Sequence, residues 1–151
     1  MRHRKTGRKF GLPSDQRRSL LKGLTRSLIQ NDSIITTECR AKDVRSIVEK
    51  LVTIARKGVS TADPVDQMNA RRLVRKYIDS NVKEFITVPG EVTSGTRRTT
   101  KIERSPDYVV PRLFEEIAPR YMERPGGYTR ITRYKNRRGD GALLVLLEFV
   151  R

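Results

Sequence analysis

Apolar side chains recur at helical spacing in four stretches of this chain, and further stretches alternate or run apolar as strands do. In the first, Leu20, Leu21, Leu24 and Leu28 share one side of a wheel turned by about 100° per residue. Ser14-Asp15 marks its start, where either side chain suits the open N–H groups of a first turn, and Asn31-Asp32 its stop. Arg18, Lys22 and Arg26 form a row at i, i+4 and i+8 on the far side. The β-branched residues of Ser33-Ile34-Ile35-Thr36 predict a short strand. Thr37 then suits the cap of a second helix over 38–57, with Gly58 beyond its end. Ala41, Val44, Val48, Leu51 and Ala55 keep helical spacing there, and Ile47, Val52 and Ile54 widen the apolar face, so this is the most buried helix.

A third helix starts at Asp63-Pro64, Asp as cap and Pro in the first turn, and reaches about Ser80. Ala70, Leu73, Val74 and Tyr77 lie on one side, with Arg71, Arg72, Arg75 and Lys76 on the other. Residues 81–105 carry the weakest pattern. Val82, Phe85, Ile86 and Val88 suit a strand before Pro89-Gly90, and TSGTRRTTKIER reads as a basic loop with some extended structure. Val110, Leu113, Phe114 and Ile117 give a fourth helix. It starts at Ser105-Pro106-Asp107 or nearer Val110, since Pro111 fits only a first turn, and Pro119 should end it. YTRITRY (128–134) reads as a half-exposed strand and ALLVLLEFV (142–150) as a central one. KNRRGDG between them makes an antiparallel hairpin with a basic tip. The sum is an α+β chain of about four helices on a small mixed sheet ending in that hairpin. Residues 14–151 form one domain behind an extended basic arm, 1–13.

Charge narrows the partner. The chain has 33 Lys+Arg against 17 Asp+Glu, a formal net charge of +16 in 151 residues. Such charge repels itself in a compact state, and a polyanion relieves it. Nucleic acid does so with release of condensed counterions. A membrane binder would show a helix with a bulky aromatic face, and the chain has no Trp. No run of about 18 apolar residues occurs, so no segment spans a membrane. The arm MRHRKTGRKFGLP lacks the apolar run of a secretory signal and the Ser-rich amphipathic character of a transit peptide. Cys39 is the lone cysteine and His3 the lone histidine. These counts exclude an internal disulfide, fit a reducing compartment, and leave no Cys/His zinc site and no Ser-His-Asp triad. Cys39 reads as a small semi-buried residue. No Walker loop or GxGxxG fingerprint is present, and Gly126-Gly127 reads as a turn.

The basic residues sort by setting. An arm cannot fold on its own contacts, but Arg2, His3, Arg4, Lys5, Arg8 and Lys9 can order it against phosphates. Arg17, Arg18, Lys22 and Arg26 supply a rigid helix face, because a merely solvated face would mix its signs. The second helix does mix them, with Arg45 four before Glu49, and serves as an internal control. Arg130 on the penultimate strand and Lys135, Arg137 and Arg138 at the hairpin tip complete the candidate nucleic-acid contacts. Tyr128 and Tyr134 suit base stacking or packing on the helices.

Four stretches then carry a resemblance: MRHRKTGRKFGLPSDQRRSLLKGLTRSLI, IITTECRAKDVRSIVEKLVTIARKG, LFEEIAPRYMERPGGYTRI and GDGALLVLLEFV. Together, over about 1–58 and 107–150, they resemble the bacterial-type large-subunit ribosomal protein 17 family. The opening MRHRK, the helix start with Thr36, Thr37, Ala41 and Lys42, and the GGYTR stretch ending at Arg130 are specific in combination. Pro125 stands where a small residue is more usual, and 79–106 is longer than the family's usual link. The resemblance implies an α+β fold and a structural, non-catalytic role in the large subunit. It implies binding of large-subunit ribosomal RNA near the peptide exit tunnel, and contact with neighbouring proteins including protein 32. It implies no cofactor, no small-molecule substrate, and a cytoplasmic place in the ribosome, an organellar ribosome of bacterial type being the alternative. Two other classes compete on the residues alone. A DNA-binding nucleoid or regulatory protein would show a helix-turn-helix pair or a dimer surface, and an RNA-modifying enzyme would need an acid/base or nucleophile set. Neither is visible.

Overall fold

A computed structural model describes residues 7–78, 85–87, 102–104 and 108–150. Helix α1 (Ser14–Asn31) leads through Asp32 into strand β1 (Ser33–Thr37). Asp32 takes the left-handed conformation at φ 61°, the usual way to stop a helix. The start of α1 differs from expectation: Pro13 holds the cap position and Ser14 and Asp15 lie in the first turn, with no side-chain cap bond. Helix α2 (Glu38–Ser60) follows β1 directly, Thr37 in the cap position without a side-chain bond. Its core stripe is Ala41, Val44, Val48, Leu51, Val52 and Ala55, all fully or almost fully buried. Cys39 is exposed rather than semi-buried, because on the α2 wheel it stands opposite that stripe.

Helix α3 (Pro64–Tyr77) begins as the sequence suggests, Asp63 accepting from the Val65 N–H at 2.9 Å. It packs closely on α2, and Gly58 explains why. Gly58 is buried inside α2 instead of ending it. A Cβ built there would lie 2.6 Å from Ala70 Cβ and 3.2 Å from a Phe114 ring carbon. The glycine is therefore a point of close helix approach, not a C-terminal signal. The buried face of α3 is Ala70 and Val74, continued by Ile78, whereas Leu73 and Tyr77 are each 51% exposed. Ala70 fits against Gly58 where a Leu or Tyr at that position would not.

The last helix is α4 (Val109–Arg112), running without a break through a π turn (Leu113–Ile117) into α5 (Ala118–Arg120). The Ala118 N–H reaches the Leu113 carbonyl, five residues back. A proline has no N–H to give and its ring presses on the preceding turn. The widened turn just ahead of Pro119 relieves that, and the helix passes through Pro119 to Arg120 where the sequence suggested it would stop.

Strands β1, β4 (Thr129–Asn136) and β5 (Leu143–Phe149) form one sheet in the order β1-β5-β4, with β5 central. Both ladders are antiparallel, where a mixed sheet was expected. The β4–β5 hairpin is antiparallel by its short connection, and β1 adds to the other edge of β5 in the same sense. A bulge at Tyr134 shifts the register between Arg133 and Lys135. One sheet face covers the helices through Val145, Leu147 and Phe149. Tyr128 is fully buried against Tyr121, ring centroids 5.1 Å apart, so it packs and is not available for base stacking. Two short strands, β2 (Phe85–Thr87) and β3 (Ile102–Arg104), pair antiparallel; the rest of 79–107 lies outside the described residues.

Long-range polar contacts tie these layers. The Glu49 carboxylate accepts from the Tyr128 N–H (3.2 Å), the Thr129 N–H (3.0 Å) and the Thr129 hydroxyl (2.8 Å). Glu49 therefore clamps the start of β4 rather than balancing Arg45 on a solvated face. Arg112 donates to Asp32 at 2.8 Å and to the Gln30 carbonyl, fixing the last helix to the end of α1.

Candidate nucleic-acid interface

The apolar stripe of α1 decides which of its cations face outward. Thr25, Leu28 and Ile29 are buried, with Leu21 and Leu24 packed beside them. The stripe is thus turned by about 60° toward the basic row compared with the leucine-only reading. Arg18 is exposed, but Lys22 and Arg26 are half-buried flank residues with contacts inside the chain, and one guanidinium nitrogen of Arg26 has almost no accessible surface. The row is a flank of the packed face, not its opposite. Fully buried Thr25 carries no apolar signal, which is why leucines alone misplace the face.

A second array arises between α1 and α2. The first half of α1 projects beyond the core, and α2 presents Lys42, Ser46 and Lys50 at i, i+4 and i+8. Residues 7–9 cross between the helices. Arg8 is held there: its guanidinium lies 2.7 Å from Asp43 Oδ1, and its backbone N–H donates to Asp43 Oδ2 at 3.1 Å. Phe10 and Gly11 have positive φ, and the Leu12 N–H bonds to the Lys9 carbonyl at 3.1 Å. The arm's root is therefore a folded turn docked on α2, not an extended segment. Between them lies a cleft of about 940 Å³. Lys9, Arg17 and Lys50 stand on its rim without an ion pair among the described residues, and Leu21 and Ile47 form its floor. Lys42 also lines it but bonds Glu38 at 2.7 Å, and that contact holds the Glu38 carboxyl below its ordinary range.

The sequence reading named Lys9 and Arg17, which both line this cleft, and passed over Lys42 and Lys50. The α2 charges look balanced when read along the chain. Read at i, i+4 and i+8 they separate, and that spacing was the available signal. Arg2, His3, Arg4 and Lys5 lie outside the described residues.

The hairpin tip is a separate place. Arg137 is committed to its own turn, its Nε 2.8 Å from Asp140 Oδ1. That pairing holds the Asp140 carboxyl far below the usual carboxylate range and raises Arg137. Lys135 lies over the Tyr134 ring, 5.2 Å from its centroid, and Arg138 is exposed. Arg130 is exposed on the outer face of the sheet, opposite Glu148. On the same face Ile35 is 52% exposed, with Leu144 and Leu146 half-buried beside it. No described helix is long and apolar enough to cross a membrane, and no cluster of three metal-ligating side chains occurs among the described residues.

The family model of ribosomal protein L17 matches residues 20–150. The large ribosomal subunit protein bL17 of Listeria innocua is 43% identical over 143 residues, covering 95% of this chain and 98% of its own. The bL17 proteins of Clostridium beijerinckii and Streptococcus pyogenes are each 40% identical over 143 residues, covering 95% of this chain and 96% and 98% of theirs.

Proposed function

This chain belongs to the ribosomal protein L17 family, and from that premise we propose how it holds ribosomal RNA in the large subunit. Its role is that of a structural ribosomal constituent, not an enzyme. The observation that carries the RNA reading is the cleft rim, where Lys9, Arg17 and Lys50 converge without carboxylate partners among the described residues. Unneutralised cations at one concave place repel one another and lower the stability of the free chain; RNA phosphates reverse that sign. Arg2, His3, Arg4 and Lys5, outside the described residues, belong to the same proposal on their charge alone. Arg18 adds to it from α1, with Lys22 and Arg26 on the flank. Lys135, Arg138 and Arg130 form a second contact, to which Arg137 adds less because Asp140 holds it. Two separated basic places on one rigid body suit a protein that fastens distinct RNA elements together.

The position near the peptide exit tunnel and the contact with protein 32 belong to the same proposal, supported by the family resemblance. The apolar outer sheet face around Ile35 and Leu146 is the surface suited to a neighbouring protein. The test is sedimentation of the tagged chain from a lysate through sucrose gradients at moderate and high salt. An integral constituent stays with the large subunit after the high-salt wash. Release into the free-protein or DNA fractions would overturn the reading in favour of a nucleoid protein.

A further inference from the structure

We propose that the α1–α2 cleft receives an unstacked nucleotide of single-stranded RNA, rather than the backbone of a duplex. The proposal rests on the RNA-binding reading above and names what that site recognises. A face that only tracks duplex phosphates needs cations on its surface and has no use for an apolar floor. This site has both. Leu21 and Ile47 are half-buried and packed on the core, so their exposed edges are fixed in place. Lys9, Arg17 and Lys50 stand around them, one from each of the three segments that build the cleft.

A ribonucleotide out of the stack offers the complement: a flat base for the floor and a phosphate on either side for the rim. In an A-form duplex the base faces are hidden against each other, leaving only the rim contacts. The cleft's volume of about 940 Å³ lies within the ~300–1,000 Å³ of sites that take small organic ligands, a class to which a nucleotide belongs. Arg17 is itself half-buried, and a guanidinium plane can stack on a base as well as bond to a phosphate. The Ser46 hydroxyl is spent as a donor on the Asp43 carbonyl at 2.9 Å. Toward the cleft it offers only lone pairs, so it suits the amino group of a base.

The test compares two labelled RNA hairpins by fluorescence anisotropy with the full chain, one fully paired and one with a single bulged nucleotide. The bulged hairpin is expected to bind at least 10-fold tighter. The double variant Arg17→Gln/Lys50→Gln should reduce that preference to under 2-fold, while Arg72→Gln/Lys76→Gln on α3, of equal charge change, should keep it. Equal binding of the two hairpins by the unaltered chain would overturn the proposal. So would equal weakening of both hairpins by the cleft variant, which would mark a plain electrostatic face. Either failure leaves co-sedimentation with the large subunit untouched. A bulge preference in a chain that never co-sediments would uphold the site and overturn the ribosomal assignment instead.

Discussion

Gly23 and Gly58 invite the same substitution with opposite results. Both lie inside helices, α1 and α2. On propensity alone, Gly to Ala in a helix interior gains about 0.8–1 kcal/mol. At Gly23 nothing lies within 4 Å of an added Cβ, so Gly23→Ala should realise most of that gain. At Gly58 the new methyl would sit 2.6 Å from Ala70 Cβ, where carbon atoms prefer about 3.5–4 Å. Both atoms are anchored to helix backbones, so α2 and α3 must part by roughly 1 Å. Parting them loosens Val74 and Phe114, and overpacking of this kind costs about 1–3 kcal/mol. Propensity offsets about 0.8–1 kcal/mol of that, leaving Gly58→Ala destabilised by up to about 2 kcal/mol. Urea unfolding followed by circular dichroism at 222 nm measures both. For a chain of this size 1 kcal/mol moves the melting temperature by about 2–4 °C, so in thermal unfolding Gly23→Ala should melt about 2 °C or more above Gly58→Ala. Stabilisation by both would refute the close approach of α2 and α3 at Gly58. The mirror test is Ala70→Gly in the Gly58→Ala background, which should recover part of the loss.

Three further outcomes follow from contacts described above. Glu49→Ala removes the acceptor for two backbone N–H groups and a hydroxyl, and should cost about 2–3 kcal/mol in urea unfolding; a change under 0.5 kcal/mol would mean water replaces the carboxylate. Deleting residues 2–9 removes, among the described residues, the Arg8–Asp43 pair at the edge of α2 and no part of the core, so helix content should persist while RNA affinity falls at least 10-fold; collapse of the dichroism spectrum would contradict this. For the hairpin tip the sign is that of a depressed carboxylate: the Arg137–Asp140 contact is fully present above the ordinary carboxylate range and is lost only as pH falls through the lowered value. Carboxyl-carbon NMR should show Asp140 still ionised well below pH 3.8, with Arg137→Gln returning its titration toward 3.8.

The fold was most readable where one physical signal dominated. The α2 stripe, the Asp63-Pro64 start, the αL stop at Asp32 and the β4–β5 hairpin each follow from apolar spacing or turn chemistry over a few residues. The errors share a different cause. Leu73 and Tyr77 are more apolar than Ala70, yet α3 turns Ala70 inward because Gly58, twelve positions earlier, leaves room only for a small partner. Thr25 is buried by its place on α1, not by its hydropathy. Glu49 looked solvated because its three donors lie some eighty residues away. The cleft was half-legible for the same reason. Lys9 and Arg17 stand out in a basic stretch, whereas Lys42 and Lys50 are masked by acidic neighbours in sequence and join the site only because α1 and α2 line one cleft.

The bulge at Tyr134 bears on how this protein can vary in length. Alternation along β4 sends Arg130 and Thr132 outward, and the uncounted residue lets Lys135, not Tyr134, take the next outward place opposite Leu144. A chain lacking that one residue would keep an unbroken ladder with its lysine on the same face. An ordinary deletion inside a strand inverts every side chain beyond it; this one would not. The distal hairpin is thus a place where insertions and deletions of a single codon can drift through descent while the sheet face and the core beneath it stay in phase.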